Sequence, residues 1–139
     1  MVRSLLKNDS GAIAVEFAFI APVLLMLTFG IIAFGSYLAI VHGVQQLTAE
    51  AARASIPGLT DTERLTLARS NLAANVASYP MLSAANLTVE AAGTDAVTGT
   101  FKVTVRYDAS GMFIFNLPSL VPVPNPVITR TAAIQRGGY

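Results

Sequence analysis

Between Phe17 and Ala49 the chain carries no Asp, Glu, Lys or Arg, and His42 and Tyr37 are its only titratable side chains there. The most apolar part, Phe17 to Val41, is 25 residues long. As a helix it measures about 38 Å, against a bilayer hydrocarbon core of about 30 Å. A buried helix in a water-soluble domain seldom lacks a polar face over such a distance. The run is therefore predicted to span a membrane, with some tilt or overhang. Glu16 stands at the head of this run, where a carboxylate is costly and usually marks a function or a specific partner.

The remainder of the chain has a different character. Charged residues make up 12% of the sequence, against about 25% in ordinary soluble domains, and the deficit comes mostly from the first third. Past Arg53 the composition is that of a small, weakly charged domain near the lower limit of self-sufficiency. With no cysteine it has no disulfide to staple it, so it is expected to lean on the preceding helix or on partners. The net charge of +1 is spread thinly, and no nucleic-acid partner is expected.

Arg3 and Lys7 precede the run, with Asp9 as the only acid among residues 1–10. Cationic residues beside a first span hold that end in the cytoplasm. Glu50 and Arg53 on the far flank balance each other. The expected topology is a single pass with the N-terminus cytoplasmic and the C-terminal domain outside. An ordinary secretory signal is disfavoured. Its apolar core would be about half as long and would end in a small-x-small site, with no carboxylate at its entrance.

Pro22 removes one backbone donor inside the run, which predicts a kink or local loosening over residues 18–22. Gly35, Ala39 and Gly43 recur every four residues, a small-residue ladder that allows close approach between spanning helices. His42 has no Cys, Asp or Glu at ligand spacing and reads as an interfacial residue. From Gln45 to Ser55 the pattern turns amphipathic. Leu47, Ala51 and Ala54 fall on one side, Gln46, Glu50 and Arg53 on another. The helix should continue beyond the bilayer as a stalk until Ile56-Pro57-Gly58 stops it.

Thr60-Asp61-Thr62-Glu63 is a capping box, and it opens a helix whose apolar face is Leu65, Ala68, Leu72 and Val76, ending near Ser78. Three strands are predicted: 87–91, 100–107 and 127–134. In the second, Phe101, Val103, Val105 and Tyr107 alternate with Lys102, Thr104 and Arg106. Residues 93–99 read as a hairpin connection. The fold class expected is α+β: a long N-terminal transmembrane helix, then one helix packed on an antiparallel sheet of about three strands. Residues 111–126 are too apolar for a solvated loop and hold four prolines, which exclude a regular helix through the second half. The four prolines are Pro118, Pro122, Pro124 and Pro126. The segment either completes the small core or forms a surface for the membrane or a partner, and core completion is favoured.

No metal-ligand cluster, phosphate loop or Cys/His pair is present in the sequence. A serine triad would have to use His42 at the membrane boundary. Asp95 and Asp108 lie near turns and read as turn formers. No catalytic residue, metal or cofactor is assigned, and the protein is not expected to be an enzyme.

A short basic leader ending in Gly11, four apolar residues, Glu16-Phe17 and a long apolar helix resembles the class III signal of type IV pilin-like proteins. The continuation from Phe17 through Pro22 to Leu25, then Gly30-Ile31-Ile32-Ala33-Phe34-Gly35, resembles TadE-like proteins of the Tad (Flp, type IVc) pilus machinery. The sequence departs at Ala33, where that family often has an acidic residue. Glu-Phe and the large C-terminal domain also set it apart from the major Flp pilins, which are shorter and carry Glu-Tyr.

The resemblance implies cleavage by a prepilin peptidase between Gly11 and Ala12, making Glu16 the fifth residue of the mature chain. Glu16, with Phe17 beside it, would then neutralise the new Ala12 amine, on its own chain or a neighbour, and set the register of packed helices. A helix-dipole interaction alone would be worth about 0.3–1 kcal/mol. The organisation expected is a leader over 1–11, a transmembrane and stalk helix over 12–56, and an extracytoplasmic domain over 57–139. The implied role is a minor pilin or pseudopilin of a Tad-type pilus or secretion system. Its partners would be the peptidase, other pilins or pseudopilins, the inner-membrane assembly platform and membrane lipid. Loss of the leader removes Arg3, Lys7 and Asp9, leaving seven basic and seven acidic side chains of the original nine and eight. The alternative is an unprocessed single-span anchor with a ligand- or protein-binding outer domain.

Overall fold

In the computed structural model the described residues are 9–117 and 121–135. Arg3 and Lys7 of the leader, and Leu120 of the proline-rich segment, lie outside them. Helix α1 runs from Asp9 to Ala54 and α2 from Asp61 to Asn75. Strands β1 (Leu87–Thr94), β2 (Thr100–Asp108) and β3 (Val127–Gln135) follow. They form one antiparallel sheet in the order β1-β2-β3. The α+β class expected from the sequence is the one observed. The chain divides into two compact units at Gly35/Ser36, inside α1.

In the second unit the outer part of α1 is a core element. Ile40, Val44, Leu47 and Ala51 fall at helical spacing on one stripe, and all are buried. They join Ala68, Leu72 and Val76 from α2 and its 3-10 extension, and Phe101, Val103, Val105, Tyr107 and Ile128 from the sheet, in one hydrophobic cluster. The segment predicted as a stalk is therefore the central rib of the domain. A short sheet and one short helix leave too little apolar area to hold together by themselves, and each fully buried Leu, Ile or Phe contributes roughly 1.5–3 kcal/mol. Two buried hydroxyls on this rib are satisfied by their own helix: Thr48 Oγ1 donates to Val44 O at 2.6 Å and Ser55 Oγ to Ala52 O at 2.6 Å.

The turn between the helices departs from the sequence pattern in two details. Thr60 Oγ1 accepts from Glu63 N–H at 3.2 Å as predicted, but the Glu63 carboxylate accepts from Leu59 N–H at 2.9 Å, one residue before the cap. The buried face of α2 begins with Arg64, only 5% exposed, and Leu65 is half-buried. Arg64 holds that place because its Nε donates to Gly58 O at 2.8 Å and its guanidinium lies 5.7 Å from the Phe101 ring centroid. Its aliphatic stem packs while its head finds an acceptor and an aromatic face.

Strand β1 is three residues longer than predicted because it is bulged. Val89 pairs with Val105 but Ala91 pairs with Thr104, so Glu90 is the extra residue. Upstream of the bulge Leu87 and Val89 face the core. Downstream the parity flips and Ala92 does so. The alternation broken at Glu90 is why the pattern stops early. The sheet ends in a hairpin whose Gly99 has φ +65, a left-handed conformation suited to glycine.

Residues 111–126 contribute both core and surface. Phe113–Asn116 forms a 3-10 turn in which Ile114 is buried, and Met112 and Phe115 pack on the core cluster. Phe113 is exposed. Ala109 N–H to Pro126 O at 2.8 Å closes the segment at its base.

Candidate functional site

The residues singled out from the sequence lie on α1. The Gly11–Ala12 peptide lies within the described part of α1. A Cβ on Gly11 would meet nothing within 4 Å. Glu16 follows Ala12 by four residues, which puts the two on one helical face. Ala12, Glu16 and Phe17 are all exposed.

The helix continues through Pro22 without interruption. Thr28 Oγ1 donates to Leu24 O at 2.8 Å, so its hydroxyl is satisfied within the helix. Around this stretch the large apolar side chains are turned outward: Phe17, Phe19, Leu24, Met26 and Leu27 are each more than half exposed. An 18-residue window of this helix is apolar enough to cross a membrane, and only 6% of that window is buried within the chain. A surface of this size and composition requires cover by lipid or by other apolar helices.

The small-residue ladder has mixed surroundings. Gly35 and Ala39 are exposed. Gly43 is covered by its own chain: a Cβ there would lie 3.4 Å from Tyr79 Cδ1 and 3.4 Å from Leu82 Cδ1. Ala39 and Gly43 share a shallow apolar groove with Tyr79, Pro80, Met81 and Leu82. His42 is exposed.

Two polar anchors escaped the sequence reading. Tyr79 Oη donates to Glu50 Oε1 at 2.9 Å, and burial together with this carboxylate pushes the phenol above its ordinary value. Tyr37 Oη donates to Asn125 O at 3.0 Å, and its ring meets Phe115 edge-on at 6.2 Å. Each joins residues far apart in sequence, and no local pattern announces such a pair.

The acids of the outer domain hold turns. Asp95 accepts from Lys102 Nζ at 2.6 Å and from the N–H groups of Val97 and Thr98. The Lys102 bond, followed by those amides, holds its carboxyl well below the usual carboxylate range. Asp108 is lowered by Ser110, whose N–H donates to it at 2.9 Å. Among the described residues no group of three His, Cys, Asp or Glu side chains is placed to hold a metal ion.

The family model described as TadE-like protein matches residues 11–53. That segment begins at the glycine preceding Ala12 and covers nearly the whole described length of α1. The likeness, with the long apolar helix, suggests a Tad pilus-associated membrane protein. Neither the curated proteins nor the solved structures yielded a match.

Proposed function

We propose that this protein is a structural minor pilin or pseudopilin of a Tad-type pilus or secretion system. It is cut by a prepilin peptidase after Gly11 and acts as that enzyme's substrate, with no catalysis of its own. The observation that carries the reading is that the TadE-like match covers the same stretch, 11–53, that holds Gly11, Glu16 and the exposed apolar helix.

Cleavage creates a cationic amine at Ala12, one helical turn from the Glu16 carboxylate. In a low-dielectric setting neither charge is stable alone, and pairing them, within a chain or between neighbours, favours one axial stagger of packed helices. The outward-facing side chains from Phe17 to Ile32 supply the packing surface, first against lipid in the inner membrane and then against other pilins or the assembly platform. The outer domain is carried on the extracytoplasmic side by the rib of α1 that forms its core.

The test is the mass and N-terminal sequence of the membrane-extracted protein, produced with and without its matched prepilin peptidase. A chain beginning at Ala12 only when the peptidase is present supports the proposal. An intact leader in both samples, with the peptidase active on another pilin, refutes it and leaves an unprocessed single-span anchor.

A further inference from the structure

Strands β1 and β3 are the two edges of the sheet, and the chain treats them differently. On β1 the ladder is interrupted by the bulge at Glu90, and the Thr94 N–H is taken by the Asp61 carboxylate at 3.0 Å. A bulge and a side chain on an edge amide both discourage further pairing. Strand β3 instead pairs with β2 from Val127↔Asp108 to Gln135↔Thr100 with no shift of register.

Which backbone groups of β3 are left over follows from one bond. Ala109 N–H donates to Pro126 O at 2.8 Å, so position 126 is one whose backbone faces β2. Such positions alternate in an antiparallel pair. The backbone groups of Ile128, Arg130, Ala132 and Ile134 therefore face β2, and those of Val127, Thr129, Thr131 and Ala133 turn outward. Two of the chain's own side chains agree with this parity. Asn125 Oδ1 accepts from Val127 N–H at 2.8 Å, and Arg130 Nη1 donates to Thr129 O at 3.0 Å. Beyond these two bonds the outward row of β3 meets no further strand.

The side chains along this edge say what fits it. Thr129, Thr131 and Ala133 are small and exposed on one face, so nothing bulky bars an approaching strand. On the other face Ile128 is buried, and Ala132 and Ile134 are half-buried at the margin of the core cluster. Arg130 shares that face and is the only charged residue of β3. Among the described residues no carboxylate forms a salt bridge with it. A row of alternating donors and acceptors is matched by an extended backbone, the means by which a peptide adds to a sheet edge. An added strand would extend the core past Ala132 and Ile134, and Arg130 requires it to bring an acid.

We infer that β3 is a strand-acceptor edge for an extended segment of another protein, with apolar residues on its core side and an acidic residue level with Arg130. The incoming carboxylate draws Arg130 off Thr129 O and frees that carbonyl for the added backbone. A second copy of β3 contains no acid and offers Arg130 nothing. The inference concerns the second unit alone and does not depend on cleavage at Gly11.

The sequence has no cysteine, so one introduced thiol is a single attachment point. Full-length Ala133→Cys chains, in envelopes of the cells that naturally produce the protein, are labelled with a benzophenone maleimide and irradiated. Cross-linked peptides are sequenced by mass spectrometry, with Val97→Cys on the exposed hairpin as background. Ala133→Cys is then combined with Thr131→Pro, with Arg130→Glu and with Arg130→Lys. Proline at 131 removes an outward N–H and leaves the ladder to β2 intact. The expected adduct joins Ala133→Cys to one segment of a different protein that contains Asp or Glu, and Val97→Cys does not form it. Its yield falls about tenfold with Thr131→Pro, the factor for a lost hydrogen bond that leaves a carbonyl unpaired. It falls likewise with Arg130→Glu and survives Arg130→Lys. Should circular dichroism show Thr131→Pro unfolded, the two Arg130 variants decide. An adduct with a second copy overturns the proposal. So does an adduct insensitive to a folded Thr131→Pro or to Arg130→Glu, and so does the absence of any adduct above background.

Discussion

Replacing Gly58 by alanine puts two effects of opposite sign against each other. An added Cβ would lie 2.6 Å from Arg64 Cγ, 2.8 Å from Arg64 N and 3.0 Å from Arg64 Cα. Two of those atoms are backbone, so a side-chain rotation cannot relieve the contact. Gly58 itself cannot retreat freely. Its N–H donates to Ser55 O at 3.1 Å, its carbonyl accepts from Arg64 Nε at 2.8 Å, and Arg64 N–H is tied to Thr60 O at 2.9 Å. Overpacking of this kind costs about 1–3 kcal/mol. Against it, alanine restricts the unfolded chain and returns about 0.4–1 kcal/mol where the native site has room. The net expectation is a destabilisation of about 1–2 kcal/mol. Shifting Arg64 also disturbs its position over Phe101, so the loss should reach the near-UV signal of the core aromatics. The assay is chemical unfolding of the full chain in detergent micelles, followed by near-UV circular dichroism. A variant as stable as the parent, or more so, would refute the reasoning, because it would mean the turn has room that the contact distances deny.

Three other perturbations test separate parts of the account. Ile114→Ala should cost about 2–5 kcal/mol, since this side chain is 1% exposed; an unfolding midpoint close to the parent's would remove residues 111–126 from the core. The Asp95 carboxyl is depressed in the folded state, so its contribution to stability is fully present above its unfolded value near 3.8 and is lost as pH falls below it. Asp95→Asn should therefore flatten the acid limb of the stability–pH profile below about pH 4, and an unchanged acid limb in titration-monitored unfolding would dismiss the Lys102 pairing as a source of stability. Glu16→Gln keeps the size of the side chain and removes its charge; the variant should still be cleaved after Gly11 but fail to enter the assembled pilus, as read by N-terminal sequencing and by immunoblotting of sheared filaments. Normal incorporation would argue against an amine-neutralising role.

What the sequence determined by itself is what local chemistry decides. An uncharged run of 25 residues declares a helix long and apolar enough to cross a membrane, because that depends on length and composition alone. Thr60 and Glu63 declare a helix start because capping groups lie within one turn. Alternation from Phe101 to Tyr107 declares a central strand because its period is set by the pleat. Only the tertiary structure decided what covers each surface. Gly43 belongs to a small-residue ladder in the sequence, yet Tyr79 and Leu82 of the same chain lie against it. Arg64 interrupts an apolar face on paper, yet it is buried, with its Nε on Gly58 O and its guanidinium beside the Phe101 ring. Glu90 breaks an alternation that β1 resumes beyond a bulge, in register with β2. The stalk became a core rib because a small sheet had no other apolar face to pack on. Periodicity tells which side of an element avoids water; the identity of the group that excludes water there depends on contacts between residues distant in the chain, and these exist only once it is folded.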